Sequence, residues 1–123
     1  MVPRRRIPVA AGRAAVAAWR AAVDAGSDVE RVTTVTAVRF LLEELSARAP
    51  GRSVEVRVPP FGAVQCIEGT THTRGTPPAV IETDAATWLS LATGALVWSD
   101  ALADGRLQAS GERTDLTALL PLV

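Results

Sequence analysis

One histidine, His72, and one cysteine, Cys66, are the chain's only imidazole and thiol, and they bound the chemistry it can offer. His72-Thr73-Arg74 sits in a stretch punctuated by Gly69, Gly75 and Pro77-Pro78, the composition of a loop. With Arg57 close by, such a loop would cradle a carboxylate or phosphate head group, arginine supplying a two-pronged donor. The plainer reading is an exposed loop whose polar side chains satisfy local backbone groups. Cys66 lies inside the apolar run Ala63–Ile67 and reads as an inert buried thiol. Asp100, Asp104 and Asp115 read as solvated or helix-start acids. No G-x-S-x-G spacing accompanies any serine. All 13 basic residues are arginine, which leaves no lysine for a Schiff base or a P-loop. One Cys and one His build neither an internal disulfide nor the usual zinc cage, so no metal or cofactor is expected. An enzyme using His72 with Arg57 or Arg74 is the weakest of the functional readings.

These residues need a scaffold, and its clearest mark is the alternation Val54-Glu55-Val56-Arg57-Val58, the period of a strand with one apolar face. Pro59-Pro60 ends it, because proline lacks the ladder N–H. Ala63–Ile67 and Ala79–Thr83 predict two more strands, and Arg106–Ser110 a fourth with Leu107 and Ala109 inward. Short loops between the first three favour an antiparallel meander. Helical periodicity predicts a first helix over 10–25, after an irregular arm over 1–9, with Val16, Trp19 and Val23 on one stripe and Gly26 as its stop. Ser27 and Glu30 have capping-box spacing for a second helix reaching about Ala49, its stripe Val38, Leu41, Leu42 and Leu45. Asp84 suits the cap of a third helix ending before Gly94, with Trp88, Leu91 and Ala92 inward. Trp98–Asp104 reads as a short fourth helix. Thr114 would cap a last turn or two over Asp115–Leu120.

At 123 residues and 48% apolar composition the chain is one domain spanning 1–123, able to bury a core without staples. Net charge is zero and the arginines are scattered, which argues against nucleic acid or an anionic membrane surface as partner. No apolar run is long enough for a bilayer-spanning helix, so no integral membrane contact is expected. Arg4–Arg6 followed by an Ala-rich segment with no acid before Asp24 has the look of an amphipathic transit peptide, but an exposed arm leading into a packed helix is the preferred reading. A reducing cytoplasm suits the single cysteine.

The order of parts from about Thr36 onward resembles the bacterial branch of the sterol carrier protein family, whose fold is the α+β type-2 sterol carrier domain. The carriers of the resemblance are D-x-x-T-W-L-x-L-x-x-G over Asp84–Gly94 and W-x-D-A-L-x-x-G-x-L-x-x-S-G over Trp98–Gly111. The block VRVPPFGAVQC and the loop HTRGTPP are similar to those of short actinobacterial members. The resemblance implies a small, mostly antiparallel sheet of four to five strands covered by helices. It also implies an apolar cavity between sheet and helices for an acyl chain, sterol or similar ligand. Carried onto this chain, the lining would be Phe61, Val64, Val80, Trp88, Leu91, Trp98, Leu102 and Leu107, with Leu119 and Leu120 closing one end. Only four strands are evident here where the family has five, and the last helix is short.

The expectation is therefore non-catalytic carriage of a small hydrophobic ligand. The alternative is a structural or interaction module, a homodimer or accessory subunit, whose cavity is filled by its own side chains. An edge left without a fifth strand motivates the alternative, since an open edge invites pairing. For Trp88 and Trp98 plain core packing competes with a ligand-facing role.

Overall fold

The computed structural model describes residues 5–69, 79–111 and 114–123. The chain forms α1 (Val9–Ala25), α2 (Arg31–Arg48), β1 (Val54–Val58), β2 (Gly62–Cys66), β3 (Ala79–Thr83), α3 (Ala85–Ala92), α4 (Trp98–Ala103) and β4 (Leu107–Ser110). The class is α+β. The four strands make one open sheet in the order β2-β1-β3-β4, mostly antiparallel.

The meander is the part of the expectation that changes. Phe61 N–H donates to Val58 O at 2.8 Å, closing a tight turn that folds β2 back antiparallel on β1. The chain has then returned to the start of β1, and β3 takes the opposite flank of β1 in parallel register, Val54 beside Ala79 and Val56 beside Ile81. A parallel pair needs a long crossover, and the excursion through β2 supplies it. β4 then closes antiparallel on β3.

Strand alternation sorts the sheet into two unlike faces. Val54, Val56, Val58, Ala79, Ile81 and Thr83 are buried beneath the helices. Arg57 and Glu82 stand exposed on the other face, with Glu55 and Val80 half-covered. In β4 Leu107 is buried but Ala109 is not. Ala109 pairs with Ile81 and so shares the helix-side face, yet the edge of the sheet leaves it exposed.

α1 and α2 form a helical hairpin, packed so closely that a β-carbon on Gly12 would fall 2.2 Å from the Phe40 ring. Gly12, Val16 and Trp19 are the buried face of α1. Val23, expected on the same stripe, is 51% exposed, and Val32 on the first turn of α2 is 66% exposed, so the tip of the hairpin stands clear of the core. The capping box also resolves differently. Ser27 belongs to the end of α1: its N–H donates to Ala22 O at 2.9 Å, while Gly26, at φ 66°, donates to Val23 O. With Ser27 so used, α2 begins only at Arg31, without a side-chain cap.

α2 is the axis of the core. Ala37, Val38, Phe40, Leu41, Leu42, Leu45 and Ser46 are all buried, more than one face of a helix, because α1 lies against one side and β2 and α3 against others. Asp84 caps α3 as expected: Oδ1 accepts Thr87 N–H at 2.8 Å and Oδ2 accepts the Thr87 hydroxyl at 3.0 Å. Arg20 of α1 donates through Nη2 to Thr93 O at 2.6 Å, tying the two helices at the end of α3. The expected last helix is instead a turn. The Asp115 carboxylate takes Thr117 N–H at 2.8 Å, so the cap is Asp115, not Thr114, and it closes a local loop in place of a helix. Leu116 and Leu122 still reach the core, and Leu122 N–H donates to Ala92 O at 2.8 Å.

Candidate functional site

Of the thirteen residues expected at a ligand site, the eleven that are described are spread over several parts of the fold. Trp88, Leu91, Trp98 and Leu107 belong to the continuous buried core. Trp88 is 1% exposed, and its indole N–H donates to Val38 O, a carbonyl of α2, at 3.3 Å. Val80 is half-buried on the sheet face away from the helices, Leu102 is 45% exposed on α4, and Leu119 and Leu120 are half-buried near the C-terminal turn. Arg57 lies on the helix-free face, where it ion-pairs with Glu55 and sits in register with Glu82. Its charge is matched locally, and the sheet separates it from the tryptophans. His72 and Arg74 lie outside the described residues.

Phe61 and Val64 do come together, in a groove on the far flank of α2. Its volume is about 540 Å³, within the range of roughly 300–1,000 Å³ usual for small-molecule pockets. The walls are Arg39, Leu42, Glu43 and Ser46 of α2, Phe61 to Val64 at the start of β2, and Arg6 and Ile7 of the N-terminal arm. The α2 residues recur at spacings of three and four, so helical geometry puts them on one stripe facing β2.

Two of them hold the strand. Arg39 Nε donates to Phe61 O at 2.7 Å and Ser46 Oγ to Gln65 O at 2.9 Å. The outer edge of β2 is thereby covered, which removes it as a site for strand addition. Ala63, midway between the two bonded carbonyls, turns its own N–H and C=O the same way by strand alternation, toward the groove it lines.

The arm is strapped across α2 by two neighbouring glutamates. Glu43 accepts Arg6 N–H at 2.8 Å and Ile7 N–H at 3.0 Å, one on each carboxylate oxygen. Glu44 pairs with Arg5 at 2.6 Å and Arg48 at 2.9 Å. Partial burial works against the charge of Glu44, but the hydrogen bonds from Arg5 and Arg48 outweigh it and hold its carboxyl below the usual range. This support is present above the ordinary carboxylate range and fades as pH falls below it.

Among the described residues no group of three or more His, Cys, Asp or Glu side chains could hold a metal. Burial pushes the Cys66 thiol up to about 11, so near neutrality it is neither nucleophile nor ligand. The neutral thiol is favoured by the fold, so its contribution is complete below the free value of 9.0 and is lost as pH rises through 11. Urea midpoints are expected to fall across that interval, and a Cys66→Ala variant to fall less. Thiol reagents at neutral pH are expected to label the chain only after it unfolds. Rapid labelling of the folded protein would contradict this account.

The groove escapes a reading of the sequence because its apolar parts look like ordinary core and its polar parts like ordinary surface. The legible signal was the stripe Arg39–Leu42–Glu43–Ser46, which flanks the core stripe on the same helix and shares Leu42 with it. Arg6 and Ile7 gave no signal, since an arm acquires a site only through what it is strapped to.

None of the curated proteins matches the chain. A sequence profile of the family described as bacterial SCP ortholog matches residues 30–122, from the entry into α2 to the C-terminal turn. With three-quarters of its length matched and its helix-covered mixed sheet, the chain belongs to the bacterial SCP ortholog family, the sterol-carrier-like group its strand and helix motifs resemble.

Proposed function

We propose that the protein binds a small apolar or amphiphilic molecule without transforming it, and that the groove between the arm, α2 and β2 is where the molecule sits. One observation carries the reading: Ile7, Leu42, Phe61 and Val64 line one concave groove together with Arg6, Arg39, Glu43 and Ser46, so apolar and polar side chains converge on the same space. The family favours carriage of apolar ligands in general. The buried position of Trp88 and Leu91 argues for placing the ligand here and not beneath the tryptophan-bearing helices.

Gly62 makes the test clean. A β-carbon there would meet Leu42 Cδ1 at 3.5 Å and Arg39 Cγ at 3.7 Å, ordinary contact distances that point toward the groove. Gly62→Leu should therefore fill the groove with little strain, and replacing glycine inside a strand favours folding. Organic extraction of natively purified protein, followed by mass spectrometry, is expected to release a hydrophobic compound from the parent chain. The Gly62→Leu protein should carry at most about a tenth as much, with an unchanged or higher urea midpoint. Equal loading of the two proteins would move the ligand elsewhere, and an empty parent chain that also ignores added acyl chains and sterols would end the reading.

The interaction-module reading retains one specific support. Among the described residues β4 pairs only with β3, so its outer edge is open while that of β2 is covered. A homodimer joined by strand pairing would use β4, and a single monomeric mass in light scattering at high concentration removes it.

A further inference from the structure

We infer that the groove selects molecules with an anionic head group, a carboxylate or a phosphate, gripped between Arg6 and Arg39. This rests on the groove being the ligand site and adds the charge of what enters it. Three observations point the same way.

The residues lining the groove include two arginines, Arg6 and Arg39, and one carboxylate, and that carboxylate is occupied. Both oxygens of Glu43 accept main-chain N–H groups of the arm, at 2.8 and 3.0 Å. The other glutamate at this level, Glu44, faces Arg5 and Arg48.

Arg39 is also held for the task. Its Nε donates to Phe61 O, which pins the guanidinium at the mouth of the groove and leaves the terminal nitrogens to point elsewhere. Among the described residues neither Arg6 nor Arg39 has an ion-pair partner. A pinned guanidinium binds a planar or tetrahedral anion with less loss of side-chain freedom than a free one.

A third guanidinium, that of Arg31, lies 5.0 Å from the centroid of the Phe61 ring. It covers the outer side of the aromatic wall with positive charge. The arrangement is an apolar floor with a cationic rim, complementary to an alkyl chain ending in an anion.

The test compares four ten-carbon probes below their micellar concentrations: decanoate, decyl phosphate, decanol and decyltrimethylammonium. Each is titrated calorimetrically into the full chain at low and moderate salt. Both anions are expected to bind at least about tenfold tighter than decanol, the size of effect a charge-assisted hydrogen bond supports. Their advantage should shrink as salt is added. The tighter of the two anions identifies the head-group chemistry, and either order supports the inference. Arg6→Gln and Arg39→Gln should each remove most of the anions' advantage over decanol, measured on the same variant. Arg39→Gln also loses the bond to Phe61, so Arg6→Gln, whose side chain makes no bond to the described residues, is the decisive variant. Equal binding of all four probes overturns the anion selectivity and leaves the groove as an apolar site. No binding of any probe by a folded chain overturns both.

Discussion

Trp88→Ala is expected to lower stability by about 3–5 kcal/mol, the cost of deleting a large aromatic side chain from a core that cannot close the gap. Trp88 is among the largest fully buried side chains, and it belongs to one continuous core with Val38, Leu41 and Leu89. Deletion also leaves Val38 O without the indole donor, though its place in α2 is otherwise regular. Trp88→Phe keeps most of the volume and should cost about 1–2 kcal/mol, part cavity and part hydrogen bond. Urea unfolding of the two variants at one pH checks both numbers. The functional meaning lies in the comparison with ligand binding. If Trp88 is core and the ligand lies across α2, then Trp88→Phe should leave probe affinity within about twofold. A Trp88→Phe protein that keeps its stability but loses its ligand would return the binding site to the space under α3.

Gly51→Ala is expected to cost at least about 3 kcal/mol or to prevent folding, although it adds a single carbon. A β-carbon at Gly51 would fall 2.1 Å from Ile67 C, 2.2 Å from Ile67 O and 2.3 Å from Glu68 N. All three are main-chain atoms, so no side chain can swing away. Gly51 also holds φ at 154°, which L residues rarely adopt. The opposing backbone has no freedom to yield. Ile67 N–H donates to Ala49 O at 2.6 Å, and Ile67 O accepts both Ser53 N–H at 3.1 Å and Ser53 Oγ at 2.6 Å. These bonds hold Ile67, a β-branched residue, at a φ of 64°, where such residues are outliers. The knot joins the end of α2 to the end of β2 and so sets how α2 lies along that strand. Gly26→Ala is the control: φ is also positive there, but nothing lies within 4 Å of an added β-carbon. It should cost only about 1 kcal/mol. Soluble expression and thermal midpoints of the pair test the argument. Similar midpoints for the two variants would show that the backbone at Ile67 gives way.

The order of effects follows from what each position can trade. At Gly62 an added side chain meets its neighbours at ordinary contact distance, at Trp88 a removed one leaves space, and at Gly51 an added atom meets backbone. Only the first of these leaves the core untouched, which is why it is the variant that speaks to function.

Local chemistry was enough to place much of this molecule. The Val54–Val58 alternation, the Asp84 cap on α3, the Gly26 stop and the buried stripe of α2 all depend on neighbours within a turn or a strand, and each is where its residues require. Family membership was legible for the same reason, since the motif over Asp84–Gly111 is a string of caps, stops and buried aromatics. Tertiary structure decided what local chemistry leaves degenerate. Strand direction was one such choice: a turn at Pro59-Pro60 fixes β2 against β1, but either edge of that hairpin can accept β3, and taking the far edge made the pair parallel. Competition for a side chain was another, as Ser27 closes α1 and is therefore lost to α2. The candidate site was the third. Apolar residues at helical spacing are the same whether they meet a ligand or one another, so Trp88 and Leu91 carried no mark of which it would be. Arg39 and Ser46 looked like surface until β2 lay beside them, and Arg6 looked like a free arm until Glu43 bound its backbone. A sequence records what each residue prefers, whereas a groove exists only between elements brought together from far apart in the chain.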